Sequence, residues 1–137
     1  LYSSYGRNFV KTMLRLGREN KEVRVVCDQV GTPTYARDLA RAIAKVLKSQ
    51  QWVAGIYHFT DEGAASWYDF AKAIFRIAGM EVKVVAIPTE DYPTPASRPA
   101  YSILDKSRIK ATYGVEIPHW EESLADCMEA LKQKGEV

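Results

Sequence analysis

The chain has 137 residues, a length that suits one domain with a modest core. Hydrophobic residues make up 47% and charged residues 26%, the balance of an ordinary globular domain rather than a disordered chain. With 19 basic and 17 acidic residues the net charge is +2 and no basic stripe stands out, so charge gives no reason to expect nucleic acid as a partner.

The first residues, Leu1-Tyr2-Ser3-Ser4-Tyr5-Gly6, read as the end of a strand entering a loop, and the expectation is a chain cut from a larger α/β protein. Residues 7–20 carry Phe9, Met13 and Leu16 at helical spacing. Val23 to Val26 is a short β-branched strand. Asp28-Gln29-Val30-Gly31-Thr32-Pro33-Thr34 follows as a loop punctuated by Gly and Pro, with Thr34 placed to cap a helix over 35–49 whose inward residues are Leu39, Ile43, Val46 and Leu47. Residues 55–59 read as a second strand. Ser66-Trp67-Tyr68-Asp69 is a capping signal for a helix that buries Trp67, Phe70, Ile74 and Ile77 and stops at Gly79. A third strand spans 82–87. The stretch 88–99 holds prolines at 88, 93, 95 and 99 and is expected to be a long surface segment. A short helix over 105–114 and a final one over 120–134 complete the chain, the last with Trp120, Leu124, Cys127 and Leu131 inward. The fold class is α/β, helices with a few short strands. Three strands of four to six residues make a poor sheet alone and would serve better at the edge of a larger one.

Few residues form a recognisable chemical motif. No Gly-rich dinucleotide turn, no GxSxG elbow and no metal-spaced cluster of His, Cys and carboxylate is present. Tyr68 and Lys72 have the Tyr-x-x-x-Lys spacing that puts a phenol and an ammonium on one helical face. Their place in the first turns of an amphipathic helix, without a cofactor motif upstream, favours chance spacing. The 28–34 loop joins a strand to a helix, where ligand sites concentrate in α/β proteins; Gly31 permits close backbone approach, and Gln29 and Thr34 offer neutral hydrogen bonds suited to hydroxyls. A loop shaped only for turning fits equally well. Arg98, on the stiff 93–99 segment, suits a phosphate, against the alternative of a solvated connector. Asn8 at a helix start suits an anion or a plain N-cap. Trp67 could stack on a base or sugar ring, although its apolar stripe favours core packing. His58 reads as structural and His119 as solvated. Cys27 and Cys127 are far apart and outside any CxxC pattern, so no disulfide is expected. With no apolar run near the roughly 18 residues of a membrane span and no signal-peptide pattern, the expected compartment is the cytoplasm.

Taken together, five stretches in order resemble one family. Gly6-Arg7-Asn8-Phe9-Val10-Lys11-Thr12-Met13 is similar to the GxNFxxTM stretch of dTDP-4-dehydrorhamnose reductases, and Asp28 to Thr34 to their DQxGxPT loop. Gly55-Ile56-Tyr57-His58 and Ser66-Trp67-Tyr68-Asp69-Phe70-Ala71 match in order, as does Tyr92-Pro93-Thr94-Pro95-Ala96-Ser97-Arg98-Pro99 with the YPTPAxRP segment. The resemblance covers nearly the whole chain. It implies the C-terminal, substrate-binding portion (residues 1–137) of an extended Rossmann-type, short-chain-dehydrogenase-like reductase that makes dTDP-L-rhamnose from dTDP-4-dehydro-L-rhamnose. NADPH or NADH and the catalytic Tyr-x-x-x-Lys would belong to an N-terminal domain upstream of Leu1. Tyr68 and Lys72 would then not be the catalytic pair, and these residues alone would be inactive and bind no cofactor. The same resemblance makes Asn8, Gln29 and Arg98 the candidates to face a dTDP-sugar, with Arg98 on the diphosphate. Some family members are metal-bridged dimers; no carboxylate pair here matches theirs, so no metal is expected, while a homodimer stays open. Two alternatives use similar motifs: a non-catalytic relative of the methionine adenosyltransferase regulatory subunit, and another nucleotide-sugar epimerase or reductase.

Overall fold

The computed structural model describes residues 1–137. Five α-helices carry most of the chain: α1 (Phe9–Glu19), α2 (Ala36–Leu47), α3 (Trp67–Ala78), α4 (Ser107–Tyr113) and α5 (Trp120–Gln133). Four short strands accompany them: β1 (Glu22–Val26), β2 (Val30–Gly31), β3 (Ala65–Ser66) and β4 (Lys83–Ile87). β1 runs parallel to β4 in the register Val23↔Val84, Val25↔Ala86, and β2 pairs antiparallel with β3. No helix is long and apolar enough to cross a membrane.

Helix α3 is the centre of the molecule. Its start is fixed by a reciprocal capping box: Ser66 Oγ accepts the Asp69 N–H at 3.1 Å, while Asp69 Oδ2 accepts the Ser66 N–H at 3.1 Å. Its end is fixed by Gly79, whose φ of 66° lies in the left-handed region that side chains with a Cβ avoid. Between these stops Phe70, Ala71 and Ile74 are buried against Val10 and Leu14 of α1, Leu124, Met128 and Leu131 of α5, and the inward Val23 and Val25 of β1. The alternating burial of β1 is the period-two pattern of a strand covered on one face.

Several expectations need correction. Residues 55–59 form no strand; they lie beside no strand edge, and a ladder needs a partner to take its N–H and C=O groups. The expected strand end at the start of the chain shrinks to one parallel bridge, Tyr2 to Tyr35, in which the Tyr2 N–H donates to the Thr34 carbonyl at 3.0 Å. Thr34 does not cap α2: Tyr35 is the cap residue, and the Thr34 hydroxyl donates to the Thr32 carbonyl instead. Helix α2 buries Asp38 and Ala42, whereas Ile43 and Leu47 are 51% and 68% exposed. Through Ala42 the helix packs on a small cluster of Ile109, Tyr113 and Val115, and its second apolar stripe faces outward. The 88–99 segment is a surface arm as expected, with one 3-10 turn over Thr89–Asp91.

One buried polar group holds the junction of these parts. The Asp61 carboxylate is fully buried, and its Oδ2 accepts the Tyr35 N–H at the start of α2 at 2.9 Å. Its Oδ1 has no partner, nor do Asp38 Oδ2 and Tyr2 Oη. Burial pushes the Asp61 carboxyl up to about 6, with the Asp38 charge adding to the rise and the Tyr35 N–H opposing it. The Lys106 ammonium donates to the Asp61 backbone carbonyl at 3.1 Å and pairs with Glu62 at 3.0 Å.

Candidate functional site

A cavity of about 390 Å³ opens where the loop after β1, the start of α3 and the proline-rich arm converge. The β1–α2 connection supplies one wall through residues 29–34. The pairing of β2 with β3 brings Ala65, Ser66 and Trp67 to the opposite wall. Phe9 of α1 and Phe70 of α3 lie beneath, and Arg98, Pro99 and Ser102 form the rim.

The arm is held there by backbone pairing. The Val30 N–H donates to the Ala100 carbonyl at 2.8 Å, and the Ser102 N–H returns to the Val30 carbonyl at 2.9 Å. Gly31 makes this approach feasible, since a Cβ there would stand 2.9 Å from Ser102 Oγ. The prolines stiffen the arm and the ladder fixes its return, which carries the exposed Arg98 to the cavity mouth.

Trp67 forms the face on which the site is built. Its ring packs at 4.9 Å from the Phe9 ring on one side, and the Arg98 guanidinium stands 5.9 Å from its centroid. The residue is half-buried, so core packing and display to the cavity coexist. Arg98 has no carboxylate within 4 Å, in contrast to most of the other arginines, which are paired. An unpaired guanidinium beside an indole face suits an anion attached to a flat ring. Gln29, 9% exposed, donates through Nε2 to Thr89 Oγ1 at 3.1 Å and accepts the Trp67 indole N–H through Oε1 at 3.2 Å.

The structure therefore brings Gln29 and Arg98 to one cavity and leaves Asn8 outside it. The Asn8 side chain is spent locally: Oδ1 accepts the Lys11 N–H at 3.2 Å, and Nδ2 donates to the Ser3 and Tyr5 carbonyls at 2.8 and 3.3 Å. It caps α1 and pins the first residues, whose Leu1 and Tyr2 line the cavity. Trp67, Phe9 and Ser102 are lining residues that sequence patterns did not single out as a group. For Trp67 the signal was an aromatic at the first position of a capped helix, where a side chain can sit half in the core and half in a crevice. Tyr68 and Lys72 stack, with the ammonium 5.3 Å from the ring centroid and over its face. His58 is exposed, while His119 Nδ1 accepts the Glu121 N–H at the start of α5.

A half-open cavity with an aromatic face, one free cation and a fixed amide in an α/β domain is an arrangement suited to a small ligand. The model of the RmlD substrate binding domain family matches residues 1–133, and the chain belongs to that family. The chain is 42% identical to a dTDP-4-dehydrorhamnose reductase of Sinorhizobium fredii, over 98% of this chain and 49% of that protein. Among solved structures it resembles the dTDP-4-dehydrorhamnose reductase of Clostridium acetobutylicum, with 46% identity and a TM-score of 0.88 over 93% of this chain and 45% of that one. It also resembles the Bacillus anthracis dTDP-4-dehydrorhamnose reductase solved in complex with NADP, with 42% identity and a TM-score of 0.86 over 94% of this chain and 45% of that one. The family resemblance and the α/β class read from the motifs are thereby borne out. The chain spans about half the length of the curated relatives it matches.

Proposed function

We propose that residues 1–137 form the substrate-binding domain of an NAD(P)H-dependent reductase that converts dTDP-4-dehydro-L-rhamnose to dTDP-L-rhamnose. The observation that carries this reading is the unpaired Arg98 guanidinium beside the Trp67 ring at the mouth of a cavity of nucleotide-sugar dimensions. Arg98 takes the diphosphate, Gln29 offers its remaining amide hydrogen and lone pair to the sugar, and Asn8 serves the site by pinning residues 3–5.

The hydride for C4 of the sugar comes from NADPH or NADH. These residues do not fit the dinucleotide's pyrophosphate, which needs free N–H groups at a helix start. Just before α2 the Tyr35 N–H goes to buried Asp61 and the Ala36 N–H to the Tyr2 carbonyl, while at α3 the Ser66 and Asp69 N–H groups are taken by their own capping box. The cofactor and the proton donor are therefore assigned to a separate N-terminal domain. The outward apolar stripe of Ile43 and Leu47, together with the doubled length of the relatives, supports such a neighbour. The reading includes a cytoplasmic location and a soluble nucleotide-sugar partner. It includes neither metal nor nucleic acid, and it is compatible with a homodimer.

The test is calorimetric titration of dTDP-L-rhamnose and of a UDP-sugar into the 137-residue protein, with R98A alongside. The expected result is preferential binding of the dTDP-sugar, weakened by at least about tenfold in R98A, the loss of one charge-assisted contact. Equal binding of both sugars would point to another nucleotide-sugar enzyme, and no binding of either would overturn the reading. Measurable NADPH-dependent turnover by these residues alone would refute the division of labour.

A further inference from the structure

Thr89 lies outside the cavity lining, yet it ends a chain of hydrogen bonds that leads into it. β4 places Thr89 just past its last residue, opposite the end of the parallel strand β1. There the Asp28 carboxylate takes both donors of Thr89: the backbone N–H at 3.0 Å and the hydroxyl at 2.7 Å. These two bonds hold the Asp28 carboxyl below its ordinary range. With its proton committed to Asp28, Thr89 Oγ1 can only accept, and it accepts the Gln29 amide N–H at 3.1 Å. At the other end of the same amide, Oε1 must face a donor. The Trp67 indole is donor-only and meets it at 3.2 Å.

The Gln29 amide is thus oriented from both sides, and the Trp67 ring is tied to it through its indole N–H. We infer that Thr89 is a positioning residue for this site: through Gln29 it sets which amide atoms remain for the ligand and the angle of the Trp67 face beside Arg98. The inference rests on the nucleotide-sugar reading for the identity of the ligand, but its geometry does not depend on it.

The experiment uses the 137-residue protein and the variants T89V, T89S and D28N. Two readouts are taken: the indole N–H resonance of Trp67 in a ¹⁵N–¹H spectrum, assigned with W67F, and the affinity for dTDP-L-rhamnose. T89V is expected to move that resonance and to weaken binding about tenfold, the loss of one oriented hydrogen bond. T89S, which keeps the hydroxyl, restores both. D28N removes one charged acceptor from Thr89 and shifts both readouts in the direction of T89V, so it decides the matter if T89V does not fold. An unmoved Trp67 resonance in T89V and D28N, or failure of T89S to restore it, overturns the inference. If the wild-type protein binds no dTDP-sugar, the ligand reading falls by itself, and the indole resonance still decides whether Thr89 sets Trp67.

Discussion

Replacing Asp61 with asparagine should stabilise the protein more at pH 8 than at pH 4.5. Asp61 is fully buried, and its carboxyl titrates at about 6 in the folded chain against 3.8 for an unhindered one. Below pH 3.8 both folded and unfolded states carry the proton, and ionisation adds no penalty. Between 3.8 and about 6 the folded state keeps a proton that the unfolded state has released, so stability falls as pH rises. Above about 6 the loss is complete. At ~1.4 kcal/mol for each tenfold, raising the carboxyl to about 6 costs about 3 kcal/mol at pH 8. Asparagine retains an oxygen for the Tyr35 N–H and places an NH₂ where the partnerless Oδ1 now stands, within the field of the Asp38 carboxylate. The assay is thermal unfolding of wild type and D61N from pH 4.5 to 8. The difference between them should be partly open at pH 4.5, widen up to about pH 6 and then level off at roughly 10 °C, scaled from ~3–4 °C per kcal/mol for a chain of this length. Parallel profiles across that window, or a D61N protein that melts below wild type at pH 8, would refute the reasoning.

Acid should act in the opposite sense at Glu62, whose carboxyl is held below its ordinary value first by Lys110 and then by Lys106. Its contribution is present above pH 4.5 and lost as pH falls through the lower folded value, so E62Q should flatten the acid limb of a stability profile. Ser66→Ala removes the cap oxygen of α3 and should cost about 1 kcal/mol in a urea melt, because the Asp69 N–H then has no acceptor. Leu124→Ala, at a fully buried position among Phe70, Ile74 and Met128, should cost roughly 3 kcal/mol by the same measurement. Thiol titration of the native protein should count one reactive cysteine. Cys27 is exposed, whereas Cys127 is buried and its thiol is pushed up to about 11, so it should react only on unfolding.

What the sequence made legible follows from locality. The capping box at Ser66 and Asp69, the glycine stop at Gly79 and the apolar spacing of α5 depend on residues three or four apart, and each was readable without knowing the rest of the fold. The strand expected over 55–59 depends on a partner strand that is not there, although Tyr57 and Phe59 pack against the Tyr113 cluster, and the inward face expected of Ile43 and Leu47 depends on a cover that these residues do not supply. Their apolar pattern signalled burial, and Ile43 and Leu47 are exposed among these residues. The site divides along the same line. Arg98 was visible as a lone cation on a stiff segment, and Gln29 as an amide on a strand–helix loop. Asn8 carried an identical kind of signal but had a helix of its own to cap, and three local hydrogen bonds absorb it.

The partners of Gln29 were out of reach for the reason that makes them informative. Thr89 and Trp67 lie 60 and 38 positions from it, and they meet only because β1 and β4 run parallel and β2 draws β3 alongside. A binding amide fixed at both ends by long-range contacts is costly to assemble by local preference, since each contact must first close a long loop. Once the α3 core is packed, however, the amide is held without further ordering of the chain. That places the specificity of this cavity in the packing of α3 against α1 and β1. Core substitutions such as Ile74→Ala should therefore weaken ligand binding by more than their effect on the folded fraction accounts for, as measured by titration under conditions where the variant remains more than nine-tenths folded. Affinity unchanged under those conditions would show instead that the Asp28–Thr89–Gln29 chain holds the site independently of the core.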